Sequence, residues 1–194
     1  MRATELLDIL YGVALSPSRT FQAVSRRKPW LWSIVTAAFI ALIFAFVLLP
    51  YPSQLAGVIL QMGRGALPLA PVLPVWMLIF FIILSVQTAM FHLLARLLKG
   101  KGTCAGMLCS LCFVWMPAFL VAPLALLRAV LDSYAGHVLY IVGSSILCFW
   151  VVWLYFMAVR QNYQLSPTRA AITCFIPLFL MFALPPIVVA IMVV

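Results

Sequence analysis

The sequence predicts an all-α, polytopic membrane bundle of five transmembrane helices with short amino-terminal interfacial helices. Three observations predict it. Of 194 residues, 67% are hydrophobic and only 8% are charged, which excludes an ordinary water-soluble domain. Five stretches without Asp, Glu, Lys or Arg run for 20 to 25 residues each, the length a helix needs to cross the roughly 30 Å hydrocarbon core. Those runs are continuously apolar and lack the period of two that marks barrel strands, so helices are the form that satisfies their backbone in lipid. The chain divides into a cytoplasmic amphipathic and basic segment, 1–29, and a membrane domain, 30–194.

Taken in order, the first element precedes the membrane. Leu6, Leu7, Leu10 and Val13 recur at helical spacing. Ser16 and Pro17 then offer a cap and a first-turn residue for a second short helix, whose apolar face would hold Phe21 and Val24. Arg19, Arg26, Arg27 and Lys28 are expected near anionic lipid headgroups, each contributing about 1 kcal/mol at the surface. A partner-binding helix is the alternative. Glu5, Asp8 and the late start of the first apolar run at Trp30 argue for a permanent anchor over a cleavable signal.

The five expected spans are 30–49, 74–95, 103–127, 137–159 and 170–194. Counting basic residues outside them sets the orientation. Arg2, Arg19, Arg26, Arg27, Lys28, Arg96, Lys99, Lys101, Arg160 and Arg169 fall on one side, and only Arg64 and Arg128 on the other. The amino terminus is therefore expected inside and the carboxyl terminus outside. The first outer loop, with Pro50 and Pro52 before it and Pro68 and Pro71 after it, carries an apolar stretch over 55–62 ended by Gly63. It reads as a short helix lying on the bilayer, or as a lid. The pentads Leu15-Ser16-Pro17-Ser18-Arg19 and Leu165-Ser166-Pro167-Thr168-Arg169 echo one another. Shared capping chemistry explains the echo, and five spans do not divide into the equal halves of a transporter repeat.

The net charge of +9 is scattered between long uncharged runs, a topological pattern that gives nucleic acid no basic face. No acidic residue lies in any expected span; Glu5 and Asp8 are amino-terminal, and Asp132 stands one helical turn from Arg128, its expected partner. Proton relays, two-metal chemistry and paired-acid mechanisms therefore lack their parts. Cys109 and Cys112 form a lone C-x-x-C, with Cys104 one turn before and Cys148 and Cys174 isolated. In an apolar helix with no activating cation they read as small packing residues, so neither a metal nor a cofactor is expected.

Ser85, Thr88, His92 and Arg96 recur at steps of three and four in the second span. Two readings stand for this polar stripe: hydrogen bonding between helices, or the wall of a ligand path in which the imidazole changes charge near neutral pH. Pro117 and Pro123 in the third span, and Pro177, Pro185 and Pro186 in the fifth, predict kinks that shape the bundle or open carbonyls to a cavity. Gly143, Ser144 and Ser145 permit a close helix neighbour, with Trp150, Trp153 and Met157 continuing a bulky stripe inward. Tyr155 and Tyr163 on the inside, and Tyr134 and Tyr140 on the outside, are expected as interfacial anchors.

The segment from Gly100-Lys101-Gly102-Thr103 through Trp115-Met116-Pro117 resembles the YIP-domain family, membrane proteins named for interaction with Ypt/Rab GTPases. The carboxyl region is similar to it too, where Trp150, Trp153 and Tyr155 lead to Tyr163-Gln164-Leu165-Ser166-Pro167 and Arg169-Ala170-Ala171 opens the last helix. Pro17 with Phe21 resembles the family's entry segment. The resemblance implies five helices and an inside amino terminus, in the compact form of bacterial members, and so a bacterial inner membrane. With only 29 residues before the first span, the chain departs from the trafficking members, whose GTPase partners are not carried over.

The function expected from these readings is non-enzymatic: organising or assisting membrane components, with the lipid bilayer, anionic headgroups, other membrane proteins or a second copy as partners. A small permease or channel component is the alternative. A lipid-modifying or redox enzyme using His92, Cys109 or Cys112 ranks last, for want of a nucleophile–base pair.

Overall fold

A computed structural model describes residues 3–48, 69–131, 134–177 and 179. The regular structure of the described residues is all helical. Its elements are α1 Ala3–Leu15, α2 Pro17–Arg27, α3 Trp30–Leu48, α4 Leu69–Leu97, α5 Cys104–Val114, a 3₁₀ segment Met116–Leu120, α6 Val121–Leu131 and α7 Tyr134–Tyr163. A further helix, α8, covers 167–177.

Three stretches among the described residues are long and apolar enough to cross a membrane: Leu73–Leu97, Cys104–Arg128 and Tyr134–Tyr163. These match the second, third and fourth expected spans. The first expected span folds as α3, whose described apolar stretch, Trp30–Ala45, is shorter than a full crossing. Helix α8 begins the fifth. The expected helix over 55–62, Arg64, Asp132, Pro185 and Pro186 lie outside the described residues.

Helices α4 and α7 both run beyond their charge-free stretches, to Leu97 and Tyr163. A charge marks where the lipid ends, whereas a helix ends where its carbonyls find other donors. The third span is broken, as Pro117 predicts. Helix α5 stops at Val114, Trp115 takes φ −78° and ψ 1°, and the 3₁₀ segment opens with Ala118 N–H on the Trp115 carbonyl at 2.9 Å. Pro117 has no N–H to leave orphaned at this turn.

Helix α5 lies at the centre, packed against α1, α2, α3, α4 and α7. Eight of its 11 residues are buried. Around it, Trp76 Nε1 donates to the Ala41 carbonyl at 2.9 Å and ties α4 to α3. Gly143 lets α6 approach α7, since a Cβ there would meet Leu124 at 2.9 Å. Arg128 stands 5.4 Å over the Tyr140 ring, a cation–π contact.

The amphipathic face of α2 turns inward: Phe21 and Val24 are buried, and α2 packs along α7 and α5. Ser18 Oγ donates to Met157 Sδ at 3.4 Å across that contact. The expected Ser16 cap is not made; its side chain bonds no amide, and Ser16 instead uses its carbonyl to accept from Thr20 N–H and Oγ1 at 3.2 and 3.1 Å. Pro17 fills the first turn regardless, where its missing N–H costs nothing.

The burial of Phe21 gives a direct test. Phe21→Ala should destabilise the purified protein by about 3 kcal/mol, the low end for emptying a large aromatic site. Phe149→Ala, at a side chain 78% exposed, should leave the thermal unfolding midpoint in detergent nearly unchanged.

Candidate functional site

The polar chemistry of the bundle collects at the end where α4 stops, α5 starts and α7 stops. Helix α4 closes with Lys99 at φ 65°, Lys99 N–H on the Arg96 carbonyl at 3.0 Å and Gly100 N–H on the Ala95 carbonyl at 2.8 Å. This is the Schellman arrangement. Helix α7 closes alike, with Gln164 at φ 54° and Leu165 N–H reaching the Arg160 carbonyl at 3.3 Å.

The two closing turns are laced together. Lys101 N–H donates to the Tyr163 carbonyl at 3.1 Å. Asn162 Nδ2 donates to the Thr103 carbonyl at 3.1 Å, and Thr103 Oγ1 accepts from Gly106 N–H at 3.1 Å to cap α5. The glycines make this approach feasible: a Cβ on Gly102 would collide with the Asn162 carbonyl, and one on Gly106 would lie 2.6 Å from Asn162 Oδ1.

The polar stripe of α4 does not act as one surface. Ser85 is exposed and donates to the Phe81 carbonyl of its own helix at 2.8 Å. Thr88 is buried and donates to the Leu84 carbonyl at 2.7 Å. Arg96 is exposed. Only His92 reaches across, its Nδ1 2.9 Å from Tyr163 Oη. Steps of three and four set residues on one stripe, but short hydroxyl side chains fold back onto the preceding turn.

Sequence reasoning missed the residues that do bridge. Gln87 is buried and accepts from Tyr155 Oη at 3.0 Å. Tyr155 and Tyr163, expected as interfacial anchors, are buried in the core. A tyrosine whose hydroxyl finds a buried acceptor gains by leaving the interface. The signal available was Gln87 itself, an amide in a lipid-length run, which demands a partner.

Gln87, Tyr155 and Trp115 line an apolar cavity of about 370 Å³ beside the break in the third span, together with Phe44, Leu147 and Val151. Among the cysteines, Cys109, Cys112 and Cys174 are buried and Cys104 and Cys148 exposed, all as free thiols.

The positions that carried the family resemblance take distinct parts. Pro17 opens α2 and Phe21 fills the core; Gly100 and Gly102 shape the clamp; Pro117 sits in the 3₁₀ break. Trp150 is half-buried, Trp153 is exposed on the outer face of α7, and Pro167 opens α8. A family model described as Yip1 domain matches residues 11–188. Comparison with curated proteins and with solved structures gave no match.

Two outcomes follow from this geometry. Gly102→Ala should cost about 1 to 3 kcal/mol, the usual range for overpacking, and raise hydrogen exchange at Lys101 and Thr103, whereas Gly143→Ala, which meets only the tip of a leucine, should cost less. A double-mutant cycle on Gln87→Leu and Tyr155→Phe, read by unfolding in detergent, should return a coupling of about 0.6 kcal/mol, the average for hydrogen bonds inside membranes, and no more than about 1.7 kcal/mol, the largest.

Proposed function

The chain belongs to the Yip1 domain family, and from that membership we propose a non-enzymatic, multi-pass membrane protein that organises or assists other membrane components. Its partners are neighbouring membrane proteins or a second copy of the chain. The observation that supports this reading is where the bridging polar side chains go: Tyr155 to Gln87, His92 to Tyr163 and Asn162 to Thr103. Each joins one element of the bundle to another. The outward faces are meanwhile apolar, with Ile82, Val86, Phe149 and Trp153 exposed, as surfaces that pack on lipid or other helices must be.

The same reading takes the chain as crossing five times in a bacterial inner membrane, amino terminus cytoplasmic and carboxyl terminus outside. Supporting it, the 19 residues of α3 rise about 28 Å at 1.5 Å each, close to the hydrocarbon thickness. Arg96, Lys99, Lys101, Arg160 and Arg169 lie at or beyond the inner ends of α4 and α7, and Arg128 lies near the opposite end of α7 beside Tyr140. A second reading, a small permease component, is favoured by one feature: the cavity beside Gln87 and the broken third span.

Crosslinking in native membranes separates the two. A photoreactive residue replacing Trp153 should capture the same neighbour or a second copy reproducibly. Absence of any reproducible adduct, together with solute uptake in proteoliposomes that His92→Ala or Gln87→Leu abolishes, would replace the organiser with the permease.

A further inference from the structure

A separate cleft of about 260 Å³ opens at the inner end, between the last turn of α2, the loop before α5 and the last turn of α7. Arg26, Lys28 and Lys101 line it, with the amide side chains of Gln22, Gln161 and Gln164 among them. No described carboxylate is in its wall. Cations gathered around one space repel one another unless an anion occupies it.

The backbone beneath these groups is fixed. Lys28 ends α2 in the left-handed region, φ 49°, with its N–H on the Val24 carbonyl at 2.8 Å. Phe21 and Val24 pin that helix to the core. Lys101 is held by its own N–H on the Tyr163 carbonyl, and Gln164 by the closing turn of α7. Donors carried on such a frame lose less freedom on binding than donors on a free loop.

The chemistry of the donors selects the ligand. Two ammonium groups act as point charges, a guanidinium adds a planar fork, and the amides supply neutral N–H donors. A tetrahedral oxyanion with several acceptor oxygens uses all three kinds. The volume suits a phosphate and a small substituent, and falls below the roughly 300 to 1,000 Å³ of pockets that enclose larger ligands.

We propose that this cleft binds a phosphate group through Arg26, Lys28 and Lys101. The group is carried either by a lipid headgroup of the adjoining leaflet or by a small solute. The proposal does not need the organiser reading, because it concerns the purified chain alone.

The test uses the full chain in nanodiscs of phosphatidylcholine for titration with inorganic phosphate, and in nanodiscs doped with phosphatidic acid for lipid retention by native mass spectrometry. Saturable binding of inorganic phosphate identifies a solute site; retention of phosphatidic acid over phosphatidylcholine without phosphate binding identifies a headgroup site. In either case the pair Arg26→Gln with Lys101→Gln should weaken binding tenfold or more. The pair Arg19→Gln with Arg160→Gln, equal in charge removed but outside the cleft wall, should weaken it less than threefold. Equal losses in the two pairs would reduce the effect to net charge and overturn the proposal. So would an unmodified chain that binds neither probe.

Discussion

Everything described in this bundle leans on the half-length helix α5. Its 11 residues rise about 16 Å, half a bilayer, yet it touches most of the elements around it. A buried short helix is stable only if both ends have somewhere to send their backbone groups. At one end Thr103 caps it, held in turn by Asn162 of α7. At the other, the 3₁₀ segment takes over, and Pro117 removes a donor that the turn would otherwise strand. The clamp at the start of α5 and the break after it are thus two answers to one hydrogen-bond requirement.

Centring the fold on α5 also explains what happens to the amino-terminal segment. A free amphipathic helix would lay Phe21 and Val24 in the lipid interface. Here a protein surface is available instead, because α5 and α7 present apolar faces at the same level. Close-packed contact with fixed side chains gains dispersion that fluid lipid does not match. The basic face of α2, with Arg26 and Arg27 in its last turn, is left outward by the same rotation.

Much of the fold was legible because lipid simplifies the rules. Long charge-free runs marked three crossings, Pro117 marked the break, and Gly143 marked a close helix pair. The two remaining expected crossings are represented only by α3 and by α8, which starts the last run. The site was less legible. Helical spacing grouped Ser85 with Thr88 and His92, but whether a polar group bridges depends on side-chain reach: the hydroxyls bond within α4, whereas Gln87 and His92 extend to α7. Nor does hydropathy separate an interfacial tyrosine from a buried one; Tyr155 and Tyr163 are told apart from Tyr134 only by the acceptors and neighbours that tertiary packing supplies.

The positive charge gathered at one end of the bundle carries a second constraint besides topology. Helices α2, α4 and α7 all end there, and cations near a helix carboxyl end are favoured by its dipole. Arg26, Arg27, Arg96 and Arg160 are placed so. Arg19 and Arg169 are not, since each stands in the first turn of a helix, where the dipole opposes a cation. Arg169 escapes by donating to the Leu98 carbonyl at 3.5 Å, at the end of α4. Arg19 shares a groove with Asp8 of α1. Lys101 lies between the ends of α4 and α7 and the start of α5, and it borders the cleft between α2 and α7. With its backbone held by the Tyr163 carbonyl, this lysine is presented to the cleft from a fixed point, at the place where two helices end and a third begins.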